Sequence, residues 1–156
     1  MSYQFNADDV FSMAEQMEKN GASFYETAAE GIADGRCRKL LLRLAAMEAE
    51  HERSFKDMRS ELNQKEKTSN LYDPEGESMR YLRALVNVRV FFEKKIEISS
   101  REEILKAAVT AEKDSIVFYL GMKEMVPEKA GKSRIDAIIQ EEMDHIRLLS
   151  EEIALI

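Results

Sequence analysis

Four glutamates and two histidines recur in this sequence at one fixed offset. Glu18, Phe24-Tyr25, Glu48 and His51 are followed by Glu112, Phe118-Tyr119, Glu142 and His145, each 94 residues after its counterpart. Ala14/Ala108, Lys19/Lys113, Glu30/Glu124 and Arg53/Arg147 keep the same offset, so the register marks an internal duplication. Glu48 and His51 are three residues apart, as are Glu142 and His145. On a helix that spacing puts both side chains on one face, within reach of a single ion. Glu18 and Glu112 stand among apolar neighbours, and four buried carboxylates left bare would be very costly. Two divalent cations would cancel four carboxylate charges. Carboxylate and imidazole donors suit iron or manganese, and the lack of a thiolate among them argues against structural zinc. A lone His51 would read as a core histidine; its duplicate at His145 makes both ligand candidates. Glu15, Glu26, Glu50, Glu52 and Asp144 read as ordinary charges on solvated helix faces.

Two tyrosines belong to the same pattern. Tyr25 lies seven residues after Glu18, close to two helical turns, and Tyr119 stands in the same relation to Glu112. Their phenols are candidates to hydrogen-bond the ligating carboxylates. The competing reading is a pair of core tyrosines with hydroxyls satisfied elsewhere.

Long helices must position these groups. Asn6 is a suitable N-cap with Asp8 and Asp9 in the first turn, and Val10, Ala14, Met17, Gly21, Phe24 and Ala28 recur at three and four. This predicts a helix over about 7–32. Ala33-Asp34-Gly35 breaks it, and Leu40, Leu44, Met47, His51, Phe55, Met58 and Leu62 predict a second helix to about 63. So short a break makes the two antiparallel neighbours. Residues 64–99 read as a crossover: a polar connection with a turn at Asp73-Pro74-Glu75-Gly76, a shorter helix from Glu77 to about Val90, and an apolar anchor or subunit contact at Val90-Phe91-Phe92. Ser99 or Ser100 with Glu102 or Glu103 makes a capping box for a third helix to about Val126. Pro127 to Gly131 ends it, and a fourth helix is predicted over about 132–155. The expected fold is all-α, one domain over residues 1–156: a four-helix bundle of two hairpins, about 7–63 and 100–155, joined by the long crossover.

The composition narrows the function. With 44% hydrophobic and 34% charged residues, 2 prolines and 6 glycines, the chain suits a soluble helical protein. A formal charge of −7 disfavours nucleic acid and anionic membranes as partners. The single cysteine, Cys37, excludes an intramolecular disulfide framework, a CxxC redox pair and a cysteine-ligated iron–sulfur cluster, and reads as a free thiol near a helix start. No basic stretch precedes an apolar run at the N-terminus, and no apolar segment approaches the roughly 20 residues of a membrane span, so a cytoplasmic setting is expected.

One Glu from each of two helices plus Glu-x-x-His from each of the other two is the ligand inventory of di-iron and di-manganese carboxylate bundles. More closely, the chain resembles the ferritin-like di-iron domain of the rubrerythrin family over about residues 5–155. The residues that carry the resemblance are Glu18 with Phe24-Tyr25, the Glu48/His51 pair, Ile-Ser-Ser-Arg-Glu-Glu-Ile-Leu at 98–105, Glu-Lys-Asp-Ser-Ile-Val-Phe-Tyr at 112–119, and the Glu142/His145 pair. The resemblance implies a left-handed bundle, often dimeric, with two iron ions between the helices, manganese or another divalent metal being the alternative. Members reduce hydrogen peroxide, and relatives oxidise or store ferrous iron. By position, Glu48 and Glu142 would bridge the metals, with Glu18, Glu112, His51 and His145 terminal. Full-length rubrerythrins carry a cysteine-rich rubredoxin domain; with Cys37 alone, electrons for peroxide or oxygen reduction are expected from a separate donor such as a rubredoxin-like protein. The family's extra glutamate, three residues after the third-helix ligand, is here Ser115, so slower peroxide turnover is expected. Iron binding, oxidation or storage without turnover, and a non-catalytic helical protein with a vestigial site, stay open beside the oxidoreductase.

Overall fold

The computed structural model describes residues 6–68, 77, 80–82, 84, 100–126 and 131–156. The architecture is the expected all-α, ferritin-like four-helix bundle, and no strand occurs among the described residues. The long helices are α1 (Ala7–Glu30), α2 (Gly35–Ser60), α4 (Arg101–Met125) and α5 (Lys132–Ile153), with a short α3 (Gln64–Thr68) after α2. Local chemistry starts three of the four. The Asn6 side chain accepts the Asp9 N–H at 2.9 Å while the Asp9 carboxylate accepts the Asn6 N–H at 3.1 Å, a reciprocal cap on α1. Asp34 caps α2 by accepting the Cys37 N–H at 2.8 Å, and Ser100 rather than Ser99 caps α4 by accepting the Glu103 N–H at 3.1 Å.

The bundle's directions follow from its two apolar layers. One joins Val10, Phe11 and Ala14 early in α1 to Phe55 and Met58 late in α2, Phe118 and Met122 late in α4, and Ile135 and Ile138 early in α5. The other joins Tyr25 and Ala28 late in α1 to Leu41 and Leu44 early in α2, Ile104 and Leu105 early in α4, and Leu149 late in α5. Hence α1 runs antiparallel to α2 and to α4, and α5 runs antiparallel to α2. Between the layers lie the buried polar side chains Glu18, Glu48, His51, Glu112, Ser115, Glu142 and His145. Such a polar slab is closed to water above and below by about two turns of hydrocarbon on every helix.

Helix ends and the crossover depart from the expected limits. Helix α2 stops at Ser60 rather than 63, and α3 stands where only a polar connection is expected. The reason is a second reciprocal cap: Asn63 accepts the Glu66 N–H at 2.9 Å, and Glu66 accepts the Asn63 N–H at 3.4 Å. Of the expected crossover helix, residues 77, 80–82 and 84 are described and helical, and Leu82 is buried in the first apolar layer. It packs on α4 at Gly121, where an added Cβ would come within 3.3 Å of both Leu82 and Tyr81. The turn at 73–76, the apolar 90–92 and residues 93–98 lie outside the described residues. No described helix is long and apolar enough to cross a membrane.

Gly131 begins α5 at φ 107°, and a Cβ there would stand 2.7 Å from the Met58 sulfur. Left-handed backbone alone costs an L-residue about 1–2 kcal/mol. Gly131→Ala is therefore expected to lower unfolding free energy by at least about 1 kcal/mol in urea titration, with metal content unchanged.

Candidate metal site

Each long helix sends its ligand candidates into the polar slab. Helix α1 supplies Glu18, α2 supplies Glu48 and His51, α4 supplies Glu112, and α5 supplies Glu142 and His145, all buried. The structure thus brings together all six duplicated residues. They fall into two overlapping groups: one donor atom from each of Glu18, Glu48, His51 and Glu142 lies within 4.8 Å of the others, and the same holds for Glu48, Glu112, Glu142 and His145. Glu48 and Glu142 belong to both groups. The two imidazoles stack across the centre, with ring centroids 5.5 Å apart and planes 18° apart.

The antiparallel register explains the pairing. Between α2 and α5, His51 meets Glu142 and Glu48 meets His145; both pairs of residue numbers sum to 193. Between α1 and α4, the Tyr25 hydroxyl donates to Glu112 Oε1 and the Tyr119 hydroxyl donates to Glu18 Oε1; both pairs sum to 137. The tyrosines therefore serve carboxylates, as expected from the spacing, but each crosses the bundle to the other hairpin's glutamate. A tyrosine two turns along its own helix from a glutamate is about 10 Å away, whereas the antiparallel neighbour brings the other glutamate alongside.

His51 Nδ1 faces inward, 2.9 Å from Glu142 Oε1, 3.5 Å from Glu48 Oε2 and 3.6 Å from Glu18 Oε2. His145 Nδ1 likewise lies 3.4 Å from Glu48 Oε1, 3.5 Å from Glu112 Oε1 and 3.6 Å from Glu142 Oε2. Yet His51 Nδ1, both Glu142 oxygens and both His145 nitrogens make no hydrogen bond among the described residues. Buried polar atoms that converge without bonding one another need a partner at their common centre. A pair of divalent cations meets that need, with donors of the types that iron and manganese take.

The electrostatics agree. Burial opposes ionisation of Glu18, but contacts with Glu48, His51 and the Tyr119 hydroxyl outweigh it and hold the carboxyl below its usual range. Burial acts on Glu112 too, but Glu142, His145 and Tyr25 bring it down to about 2. Glu48 goes the other way: burial, then the charges of Glu142, Glu18 and Glu112, push it well above the usual range. Burial and the charges of Glu112 and Glu18 push Glu142 up to about 8. Burial disfavours the imidazolium forms, yet the surrounding glutamates raise His145 to about 12 and raise His51 as well. When protons alone balance the cluster, two carboxylates are thus anionic, two are neutral and two imidazoles are cationic, giving zero net charge. Two divalent ions on four carboxylates reach the same balance, so metal and protons compete for one site.

Three neighbours refine this picture. Ser115 is buried, and its hydroxyl donates to the Ala111 carbonyl at 3.1 Å, one turn back on α4. Gly21, its counterpart on α1, leaves room for Glu48: a Cβ there would stand 3.5 Å from the Glu48 Cδ and Cγ, an ordinary contact. Glu141, which sequence reasoning missed, lies 2.5 Å from His51 Nε2 on the outer side of that ring. The only signal for it was adjacency to Glu142, and a Glu-Glu dipeptide on a helix usually means one buried and one solvated side chain. Glu15, expected to be an ordinary charge, pairs with Arg59 at 3.2 Å, outside the cluster.

Comparison with known proteins places this geometry. The family model described as Rubrerythrin matches residues 9–153. Among solved structures, a Thermotoga maritima protein described as a ferritin-like diiron-carboxylate protein is similar, with 25% identity and a TM-score of 0.72. That match covers 97% of this chain and 96% of the other. No curated protein matches.

Proposed function

Because the chain belongs to the rubrerythrin family, we propose that it is a non-haem di-iron oxidoreductase that reduces hydrogen peroxide with electrons from an outside donor. The observation that carries the proposal is the buried cluster in which Glu48 and Glu142 are shared by two ligand groups. The reaction breaks one O–O bond: a peroxide takes two electrons and two protons and leaves as two waters. When bound, two ferrous ions would supply both electrons, and a separate reductant such as a rubredoxin-like protein would return them. The homodimer implied by the family resemblance and the cytoplasmic setting expected from the sequence belong to the same proposal.

The chain's own residues would do the following. Glu48 and Glu142 hold the two metal positions together, Glu18 and His51 close one, and Glu112 and His145 close the other. Tyr25 and Tyr119 orient the carboxylates of Glu112 and Glu18 by donating hydrogen bonds to them. Burial and the Glu112 charge hold the Tyr25 phenol well above its usual range, so it stays a donor and does not act as a base. The apolar layers keep bulk water from the slab.

The test is peroxide consumption by iron-loaded protein under a continuous supply of reductant. Many equivalents of peroxide reduced per chain, with loss of that turnover in Glu142→Ala, is the expected result. Oxidation that stops after one round despite available reductant would instead favour an iron-oxidising or iron-holding role. Ser115 gives that second reading its support: the position carries a neutral hydroxyl turned toward the helix backbone, not a fifth carboxylate.

A further inference from the structure

We infer that Glu141 makes the two metal positions unequal, so that the position served by His51 fills before the one served by His145. This inference rests on the reading of the cluster as a two-metal site. The ligand candidates and their tyrosines are fully duplicated: Glu18/Glu112, Tyr25/Tyr119, Glu48/Glu142 and His51/His145. Glu141 breaks the pattern, because the residue 94 positions earlier is Met47.

The break falls on the outer nitrogens of the two imidazoles. His51 Nε2 has the Glu141 carboxylate at 2.5 Å, so its outer N–H has a strong acceptor, and Nδ1 faces the glutamates, where its lone pair becomes available when metal displaces the proton. His145 Nε2 is buried and has no hydrogen-bond partner among the described residues. A thioether, as at the counterpart Met47, is at most a weak acceptor. A carboxylate on the outer N–H of a ligand histidine fixes the tautomer, orients the ring and raises the donor strength of the inner nitrogen. Losing such a partner typically costs about 10–100-fold in metal affinity. Among the described residues, only packing orients the His145 ring. The Glu141 side chain is 54% exposed, so removing it opens no hole in the core.

Glu141 is thus a positioning residue, acting on metal through His51. Chelator-stripped protein should be titrated with cobalt(II), read by visible absorption and by calorimetry. Two steps are expected for the parent protein, the first tighter. Glu141→Ala should weaken the first step about 10–100-fold and leave the second in place, closing the gap. Glu141→Gln, whose amide oxygen still accepts the imidazole N–H, should keep part of it. Met47→Glu, which by the internal duplication brings a carboxylate to the position that Glu141 holds for His51, should strengthen the second step. Two equal constants in the parent, or a Glu141→Ala protein with neither or both constants lowered, would overturn the inference while leaving the two-metal reading intact. Saturation below two cobalt ions per chain would overturn that reading and the inference together.

Discussion

Glu142→Ala is expected to leave the protein with almost no bound metal, whereas Glu18→Ala should keep about one ion of the parent's two per chain. The asymmetry comes from sharing. Glu142 contributes to both ligand groups, while Glu18 contributes to one. Deleting a shared carboxylate removes a negative charge and a donor from both positions at once, and their mutual screening goes with it. Two cations brought close together without an intervening anion repel strongly at low local dielectric. The loss should therefore exceed the roughly 10–100-fold typical of residues that act through a ligand. Glu142→Gln, which keeps volume and loses charge, separates metal binding from packing. Elemental analysis of protein purified under identical conditions decides the matter. Glu142→Ala and Glu18→Ala proteins with equal metal would mean that the shared role is wrong.

The bundle and its buried glutamate–histidine cluster were legible because duplication and periodicity are properties of the sequence itself. The offset of 94 named six residues, and the stripes at three and four named the helices that carry them. What was not legible depends on contacts between helices. The crossed tyrosines need the α1/α4 register, which follows from how the two hairpins face each other and not from either hairpin alone. Glu141 looked like one more solvated acid; only the placement of α5 beside α2 brings it to the outer edge of His51. The short α3 was hidden because its five polar residues match no apolar stripe, and its start signal at Asn63 and Glu66 lay in a stretch that reads as linker. Ser115 shows the converse case: the sequence identified the position, but only the structure shows the hydroxyl spent on the Ala111 carbonyl.

Chelated and metal-loaded protein are expected to respond to pH in opposite directions. In chelated protein the raised groups hold more protons folded than unfolded. Glu142 does so between its ordinary 4.5 and about 8, and His145 between its ordinary 6.5 and about 12. Over those windows the folded state binds more protons than the unfolded chain, so stability falls as pH rises. Glu112 has the opposite sign: its carboxyl drops from 4.5 to about 2, so its contribution is present above 4.5 and lost as pH falls toward 2. The melting temperature of chelated protein should therefore peak near pH 5 and decline steadily to pH 8. Metal reverses the trend, because ions bind deprotonated carboxylates and neutral imidazoles, and raising the pH removes the competing protons. Binding to the folded state then adds RT ln(1 + [L]/Kd), a term that grows as Kd falls. The gap between loaded and chelated melting temperatures should widen continuously from pH 5 to pH 8, when measured by calorimetry with and without chelator. Replacing Glu18, Glu48, Glu112 and Glu142 together by Gln should abolish the gap and flatten the decline, since none of the cluster's four buried carboxylates is left to titrate or to charge the histidines. Parallel pH profiles for loaded and chelated protein would show that metal and protons do not compete for this cluster.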